Sequence, residues 1–300
     1  MTDAHLNLGL LLDIDGPIAS PVTRSIAIPS IIDDLIALTA ASVPIAFITG
    51  RSDAFVREQV ITPLFGAGLS AALETTGARM FTVFEKGAAW ATIGPEGMGE
   101  TQIDRSVSVP PALVERVRAI HARDFSDTMF WDDTKYAMIS IEQRTDAGTA
   151  EFQEAQRRLN DAAFAAAVEL GLGIRLGDRA VPDADGGIPW RIDPTIISTD
   201  IESVTLDKDK GAERALEHFR AAGDLPTLWR SVGDSRSDYK MADYVHSVGI
   251  EVAHVDVRPA DGVLDKPYRV ITEGDLIHDE AGAAFLRFWA KKLQWPATSR

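Results

Sequence analysis

Acidic and small polar residues directly follow three short apolar runs of the sequence. Asp13-Ile14-Asp15-Gly16 follows Leu8–Leu12, and Thr49-Gly50-Arg51 follows Val43–Ile48. Farther along the chain, Gly233-Asp234-Ser235-Arg236-Ser237-Asp238 follows Thr227–Val232, a less uniformly apolar segment that we also predict to be a buried strand. Short, almost wholly apolar runs are typical of strands buried on both faces of a parallel sheet. Because ligands bind at the carboxyl ends of such strands, we expect these polar residues to meet at one edge of the sheet.

The side chains expected at this edge include the carboxylates of Asp13, Asp15, Asp234 and Asp238. Carboxylates held close together raise one another's pKa unless a cation compensates their charge. Mg²⁺ prefers carboxylate and carbonyl oxygens together with water molecules. The residues themselves therefore predict an Mg²⁺ site that is open to a phosphorylated substrate.

In order and spacing, these motifs resemble those of the haloacid dehalogenase-like (HAD) superfamily of phosphohydrolases. The first HAD motif is similar to Asp13-Ile14-Asp15-Gly16, the second to Phe47-Ile48-Thr49-Gly50-Arg51, and the fourth to residues 233–238. The lysine of the third motif is assigned to Lys210, because Gly211 and a predicted helix follow it directly. The sequence Asp207-Lys208-Asp209-Lys210 leaves Lys208 as the alternative.

The resemblance implies a catalytic role for four side chains. Asp13 would be the nucleophile that attacks phosphorus and forms an aspartyl-phosphate. Asp15 would protonate the leaving alcohol and then activate water. Thr49 and the backbone amide of Gly50 would bind phosphate oxygens, while Lys210 would neutralise charge on the phosphoryl group and on Asp13.

The resemblance also implies a metal-binding set and a substrate contact. Mg²⁺ would be held by Asp13, by the backbone carbonyl of Asp15 and by Asp234, with Asp238 in or next to the coordination sphere. Arg51 is a further candidate for substrate binding, although a surface ion pair is an equally good interpretation of this residue.

The order of predicted elements indicates an α/β fold with a doubly wound, mostly parallel sheet and an inserted smaller α+β domain. We predict the third strand over Ser70–Leu73 and a further strand over Arg79–Val83. The segment Glu74–Ala78 resembles the one that follows the third strand in the sugar-phosphatase branch of the superfamily. Residues 1–87 and 203–300 are assigned to the core, and residues 88–202 to the inserted domain. An insertion between the second and third motifs resembles the type II cap of that branch, the Cof-type phosphatases.

Composition restricts the classes of function. The chain has 300 residues, with 45 acidic and 30 basic ones, so its formal charge is −15. This charge, without a basic patch, disfavours nucleic-acid binding. The absence of cysteine excludes disulfides, thiolate metal sites and cysteine nucleophiles. No apolar stretch reaches the ~20 residues of a membrane span, and Met1–His5 lack a basic signal region, so we expect no membrane partner and a cytoplasmic location.

The sequence leaves three functions open. The leading hypothesis is a Mg²⁺-dependent phosphatase for a small-molecule phosphate ester, with sugar phosphates as the expected class. A phosphotransferase such as a hexose-phosphate mutase would use the same motifs. A catalytically silent binding protein is the third hypothesis, motivated by Pro17, which follows the first motif and has no amide hydrogen to donate.

Overall fold

The computed structural model describes residues 7–294, which divide into two compact units. The first unit is formed by two segments of the chain, one that ends at Gln102 and one that begins at Asp207. The second unit comprises Ile103–Leu206. The structure therefore places the start of the insertion after Gln102 rather than after residue 87. The reason is that the strands at Ala89–Gly94 and Gly97–Met98 extend the sheet of the first unit instead of leaving it.

Fifteen strands are numbered in chain order. They are β1 (Leu8–Leu12), β2 (Ile45–Ile48), β3 (Met80–Phe84), β4 (Ala89–Gly94), β5 (Gly97–Met98), β6 (Gln102–Ile103), β7 (Met129–Trp131), β8 (Ile139–Gln143), β9 (Ile174–Leu176), β10 (Arg179–Val181), β11 (Trp190–Pro194), β12 (Ser198–Ser203), β13 (Leu228–Gly233), β14 (Glu251–Asp256) and β15 (Arg269–Ile271).

Nine α-helices are described between residues 7 and 294. They are α1 (Pro29–Ala40), α2 (Asp53–Val56), α3 (Thr62–Gly66), α4 (Leu69–Leu73), α5 (Pro111–Asp124), α6 (Thr149–Glu169), α7 (Lys208–Ala222), α8 (Tyr239–Ser247) and α9 (His278–Gln294). A π-helical turn, Arg57–Ile61, joins α2 to α3. None of the described helices is both long and apolar enough to cross a membrane.

The sheet of the first unit has nine strands in the order β15-β14-β13-β1-β2-β3-β4-β5, with β6 beside this path. Neighbouring strands from β15 to β3 are parallel, and β4 and β5 are antiparallel. Every residue of β1 is buried, as its apolar sequence predicts. At Gly9 an added Cβ would lie 2.7 Å from the ring of Trp229, so only glycine lets β1 approach this indole. The predicted doubly wound, mostly parallel sheet is confirmed.

The prediction of a strand over Ser70–Leu73 is wrong, because these residues belong to α4. A short run of apolar residues does not distinguish a buried strand from a buried helix, and Ala71 and Ala72 favour the helix. The third strand is β3, which covers most of the segment Arg79–Val83 predicted as a further strand. Consequently Glu74–Ala78 follows a helix, and the segment after the third strand begins at Glu85.

The second unit is an α+β domain, as predicted. Its sheet has six strands in the order β10-β9-β11-β12-β8-β7. Helices α5 and α6 bury one apolar stripe each in a shared core with this sheet; that core includes Leu113, Val117, Phe152, Leu159 and Ile201. All strand pairs of the sheet are antiparallel except β9 with β11.

Candidate active site

Strand register brings the predicted motifs to one edge of the first unit's sheet. Leu12, at the end of β1, pairs with Phe47 of β2 on one side and with Val232 of β13 on the other. The residues that follow these positions therefore lie side by side. The amide of Asp13 continues the ladder and donates to the carbonyl of Val232 at 2.9 Å.

Lys208 is the lysine that reaches Asp13. Its Nζ lies 2.5 Å from Asp13 Oδ1 and 2.8 Å from Asp238 Oδ1, and it donates to the carbonyl of Ile48 at 2.8 Å. All three side chains are buried. One ammonium group thus joins the ends of β1 and β2 to the fourth motif.

The assignment of the third-motif lysine to Lys210 is corrected by this geometry. The Nζ of Lys210 pairs with Glu213 Oε2 at 2.5 Å on the half-buried surface of α7. Residues two apart on an α-helix point about 200° apart, so Lys208 and Lys210 cannot both face the sheet edge. Gly211 does not mark the site lysine. It is explained by packing, because a Cβ at this position would lie 2.4 Å from Ile48 Cγ2.

Charge coupling within this cluster shifts all three pKa values. Burial disfavours the ammonium form of Lys208, but Asp13 and Asp238 outweigh it and raise the lysine pKa. Burial and the negative charge of Asp238 raise the pKa of Asp13. Burial opposes ionisation of Asp238 as well, yet the nearby ammonium and hydrogen bonds lower the pKa of this carboxyl.

Asp238 is held by the loop that precedes α8. Its Oδ2 accepts hydrogen bonds from the amides of Asp234 and Ser235 at 3.0 and 2.8 Å, and from Ser235 Oγ at 2.8 Å. A Cβ at Gly233 would lie 2.1 Å from the Cβ of Asp238, so glycine is required for this close approach. Asp238 therefore both orders the fourth motif and supplies a carboxylate to the site.

Asp234 completes an acidic cluster. Ligand atoms of Asp13, Asp234 and Asp238 all lie within 4.8 Å of one another. Burial and the charge of Asp238 raise the pKa of Asp234 to about 6, although Arg258 and His278 lie 3.6 and 3.8 Å from its Oδ2. Three converging carboxyl groups, two of them (Asp13 and Asp234) with a raised pKa, fit a hard divalent cation, which would stabilise the ionised forms.

Asp15 lies in the turn that follows β1, with its side chain 39% exposed. Arg51 Nε and Nη2 donate to its two carboxylate oxygens at 2.9 and 3.1 Å. Gly16 has φ of 95°, and a Cβ there would lie 2.8 Å from Asp234 Cγ, so the turn brings the first motif against the fourth. Arg51 is therefore part of an ion pair inside the site and not on a remote surface.

Pro17 is accommodated without loss of a hydrogen bond. The amide of Gly16 donates to the carbonyl of Ala19 at 3.0 Å, and the amide of Ala19 donates to Ile14 at 2.8 Å. No donor is needed at position 17, and the Pro17 carbonyl packs against Gly282 of α9. The single sequence feature that favoured a silent binding protein is thus explained by turn geometry.

Thr49 and Gly50 lie beside a strained turn at Glu85 and Lys86, two residues that the sequence motifs do not include. Thr49 is fully buried, and its Oγ1 accepts from the amide of Arg51 at 3.0 Å. Its carbonyl accepts from the amide of Lys86 at 3.0 Å. Glu85 and Lys86 have φ of 48° and 56°, values uncommon for residues other than glycine. The adjacent Gly87 was the only signal in the sequence for this turn.

Comparisons with solved structures agree with this architecture. A haloacid dehalogenase-like hydrolase from Bacteroides thetaiotaomicron is 11% identical and matches over 94% of this chain and 98% of its own, with a TM-score of 0.57. A protein from Streptococcus mutans is also 11% identical, over 94% and 98%, with a TM-score of 0.54. The chain has the HAD-like fold.

A third similar structure is an IMP-nucleotidase from Plasmodium falciparum, at 9% identity and a TM-score of 0.51. That match covers 94% of this chain and 62% of the nucleotidase. No family model and no curated protein matches the sequence. The fold is therefore shared with these proteins at a distance at which side-chain chemistry must be argued from this chain itself.

Proposed function

We propose that the chain is a Mg²⁺-dependent phosphatase that hydrolyses a small phosphate ester through an aspartyl-phosphate at Asp13. The observation that carries this proposal is the buried Lys208 ammonium between Asp13 and Asp238, at the strand ends where Asp15 also lies. A carboxylate nucleophile, a second carboxyl two residues away and a fixed cation can together carry out phosphoryl transfer through a covalent intermediate.

In the first step, Asp13 attacks phosphorus and Asp15 serves as the acid. Lys208 holds Asp13 Oδ1, which leaves Oδ2 as the attacking atom. A bond forms between Oδ2 and phosphorus, and the bond between phosphorus and the ester oxygen breaks. The departing oxygen takes the proton of Asp15 and leaves as an alcohol. Arg51 donates hydrogen bonds to both oxygens of Asp15, so this pair must open at one oxygen before Asp15 can carry the proton there.

In the second step, water replaces the alcohol. Asp15, now ionised, accepts a proton from water as the water oxygen attacks phosphorus. The bond between phosphorus and Asp13 Oδ2 breaks, which regenerates the carboxylate and releases inorganic phosphate. The Thr49 hydroxyl and the Gly50 amide are the proposed donors to the phosphoryl oxygens throughout.

Asp13, Asp234 and Asp238 would hold the Mg²⁺ ion, together with the backbone carbonyl of Asp15. When bound, the ion would neutralise negative charge on the phosphoryl oxygens and on the carboxylates. Lys208 would also neutralise negative charge on Asp13.

The proposed substrate class is a sugar phosphate. This choice is supported by the inserted α+β unit, which comprises Ile103–Leu206. In the sequence, this unit falls between the Thr49 motif and Lys208. An inserted domain of this kind can exclude water and contact the leaving group.

Phosphate release from a panel of sugar phosphates and an aryl phosphate tests the proposal. We expect turnover with Mg²⁺, none with a chelator, and a loss of at least about a thousandfold in Asp13→Asn. Asp33→Asn, which removes an exposed carboxylate of α1, is the matched control and should retain full activity. Metal-independent turnover, or activity in Asp13→Asn, would contradict the mechanism. Isomerised sugar without free phosphate would replace it with the mutase reaction.

A further inference from the structure

A cavity of about 370 Å³ lies in the first unit between its last strands and the second half of α9. Its walls include Arg230 of β13, Arg269 of β15, and Phe288 and Lys292 of α9. None of the described residues of the candidate active site lines it. The volume falls in the range of pockets that take small organic ligands.

One wall of this pocket, named here the α9 pocket, includes Arg230 and Arg269, which belong to one row of residues across parallel strands. Arg230 of β13 is in register with Ala253 of β14, which is in register with Arg269 of β15. Residues paired in register point to the same face of a sheet. Arg230 and Arg269 therefore lie on the same face of the sheet, with the small Ala253 between them in the row.

The opposite wall is one stripe of α9. Phe285, Phe288, Trp289 and Lys292 recur at the spacing of one helix face. Phe288 is 57% exposed although its neighbour Trp289 is buried. Lys292 Nζ lies 4.8 Å from the centre of the Trp289 ring, and the guanidinium of Arg230 lies 5.7 Å from it. Cations thus surround an aromatic surface that is partly open.

The charges of the α9 pocket are unbalanced. Burial lowers the pKa of Arg230 and the like charge of Arg269 lowers it further, while Glu251 opposes this shift. Glu273 is the acidic residue of the lining. Among residues 7–294, the Arg269 side chain has no hydrogen bond or ion pair, and Arg230 Nη1 donates to the backbone carbonyl of Trp229 at 2.7 Å. Three cations therefore converge in a protein of net charge −15.

We propose that the α9 pocket is a second ligand site, which binds a small organic anion carrying an aromatic ring. The ring would stack on the exposed face of Phe288 and the adjoining Trp289 edge, and the anionic group would lie between Arg230 and Arg269 over Ala253. Bidentate hydrogen bonding from a guanidinium favours planar or tetrahedral oxyanions, and the aromatic stripe adds the ring contact. Both halves of the ligand are needed for affinity.

Isothermal titration calorimetry with 1-naphthalenesulfonate tests this proposal. The probe carries no phosphate ester, so its binding is independent of the proposed phosphatase activity. We expect binding to the full chain, with affinity at least about tenfold weaker for 1-naphthol, which lacks the charge, and for methanesulfonate, which lacks the ring. Raising the salt concentration should weaken binding of the sulfonate but not of the naphthol.

Three variants locate the site. Arg269→Gln should weaken sulfonate binding by about tenfold, and Phe288→Ala by about threefold to tenfold. Arg220→Gln, which removes an exposed arginine of α7, is the matched control and should bind as the parent does. All three residues are exposed, so thermal midpoints should stay close to that of the parent. Equal affinity for sulfonate and naphthol, unchanged binding in Arg269→Gln, or no heat up to about 10 mM probe would overturn the proposal.

Discussion

Two charged clusters of the first unit differ in how their charges are balanced. At the strand ends, the Lys208 ammonium is buried between Asp13 and Asp238, whose carboxylates balance its charge. In the α9 pocket, Arg230 and Arg269 share one row of the sheet, and neither forms an ion pair with a described residue. The first cluster is preorganised by opposite charges, while the second has like charges together beside solvent.

The difference follows from burial. A charge taken fully out of water is tolerated only when it is paired and hydrogen-bonded, so the buried ammonium must have its carboxylates. Arg269 is exposed and Arg230 is half-buried, so water can solvate them without a protein partner. The buried Lys208 cluster therefore has fixed partners, whereas the cations of the α9 pocket, which lie near solvent, leave room for a ligand.

The largest effect is expected from a substitution that removes the cation of the first cluster. In Lys208→Met, two carboxylates remain buried without their cation, which should lower the free energy of unfolding by about 3–5 kcal/mol. Phosphate release should fall by about a hundredfold or more, since a fixed positive charge beside Asp13, the proposed nucleophile, is lost. Urea unfolding and the phosphate assay measure the two effects.

Lys210→Met is the matched control for this variant. Its ammonium pairs with Glu213 on the half-buried surface of α7, where an ion pair contributes about 1 kcal/mol or less. Both stability and phosphate release should stay near those of the parent. Equal losses in the two variants, or a larger loss in Lys210→Met, would show that the position of Lys208 is unimportant.

A second prediction extends the comparison to His254, a buried base that forms no ion pair with a described residue. His254 is fully buried, its Nδ1 lies 2.8 Å from Ser231 Oγ, and its ring lies 4.1 Å from that of Tyr239. Burial lowers the pKa of His254 to about 4. The unfolded chain, with an ordinary histidine pKa of about 6.5, binds the proton more readily, so stability is complete above pH 6.5 and is lost as the pH falls toward 4.

The expected contribution of His254 to this loss is about 3 kcal/mol between pH 6.5 and pH 4. His254→Asn retains a hydrogen-bonding group near Ser231 and removes the titration. Urea unfolding at the two pH values should give a smaller decrease in the variant than in the parent. Identical pH dependence of the two proteins would mean that the pKa of His254 does not differ between the folded and the unfolded chain.

The smallest predicted effect concerns Asp234, the carboxylate of the site that has no direct lysine partner. Because burial and Asp238 raise its pKa to about 6, a proton competes with a divalent cation below that pH. The affinity for Mg²⁺ should fall by about tenfold or more per pH unit below pH 6, and change little above it. Calorimetric titration with Mg²⁺ at several pH values measures this, and a constant affinity down to pH 5 would contradict the raised pKa.

Much of the fold could be predicted because its pattern is local. Buried strands such as β1 and β2 consist of consecutive apolar residues or glycine, and a polar motif marks where each one ends. Short segments contain too few residues for the apolar pattern to distinguish a helix from a strand. Ser70–Leu73 was assigned to the wrong class of element, and the start of the inserted unit was placed before β4 and β5, whose pairing with the sheet is not a local property.

Within the site, the types of residue and their order along the chain were determined by the sequence alone. The sequence placed Asp13, Asp15, Thr49, Asp234 and Asp238 at strand ends, and parallel register brings those ends together. The choice between Lys208 and Lys210 was decided by the tertiary structure, because it depends on which face of α7 meets the sheet. The pairing of Arg51 with Asp15 and the Arg230–Ala253–Arg269 row were decided there as well. These are contacts between residues distant in sequence, and no local periodicity encodes their distances.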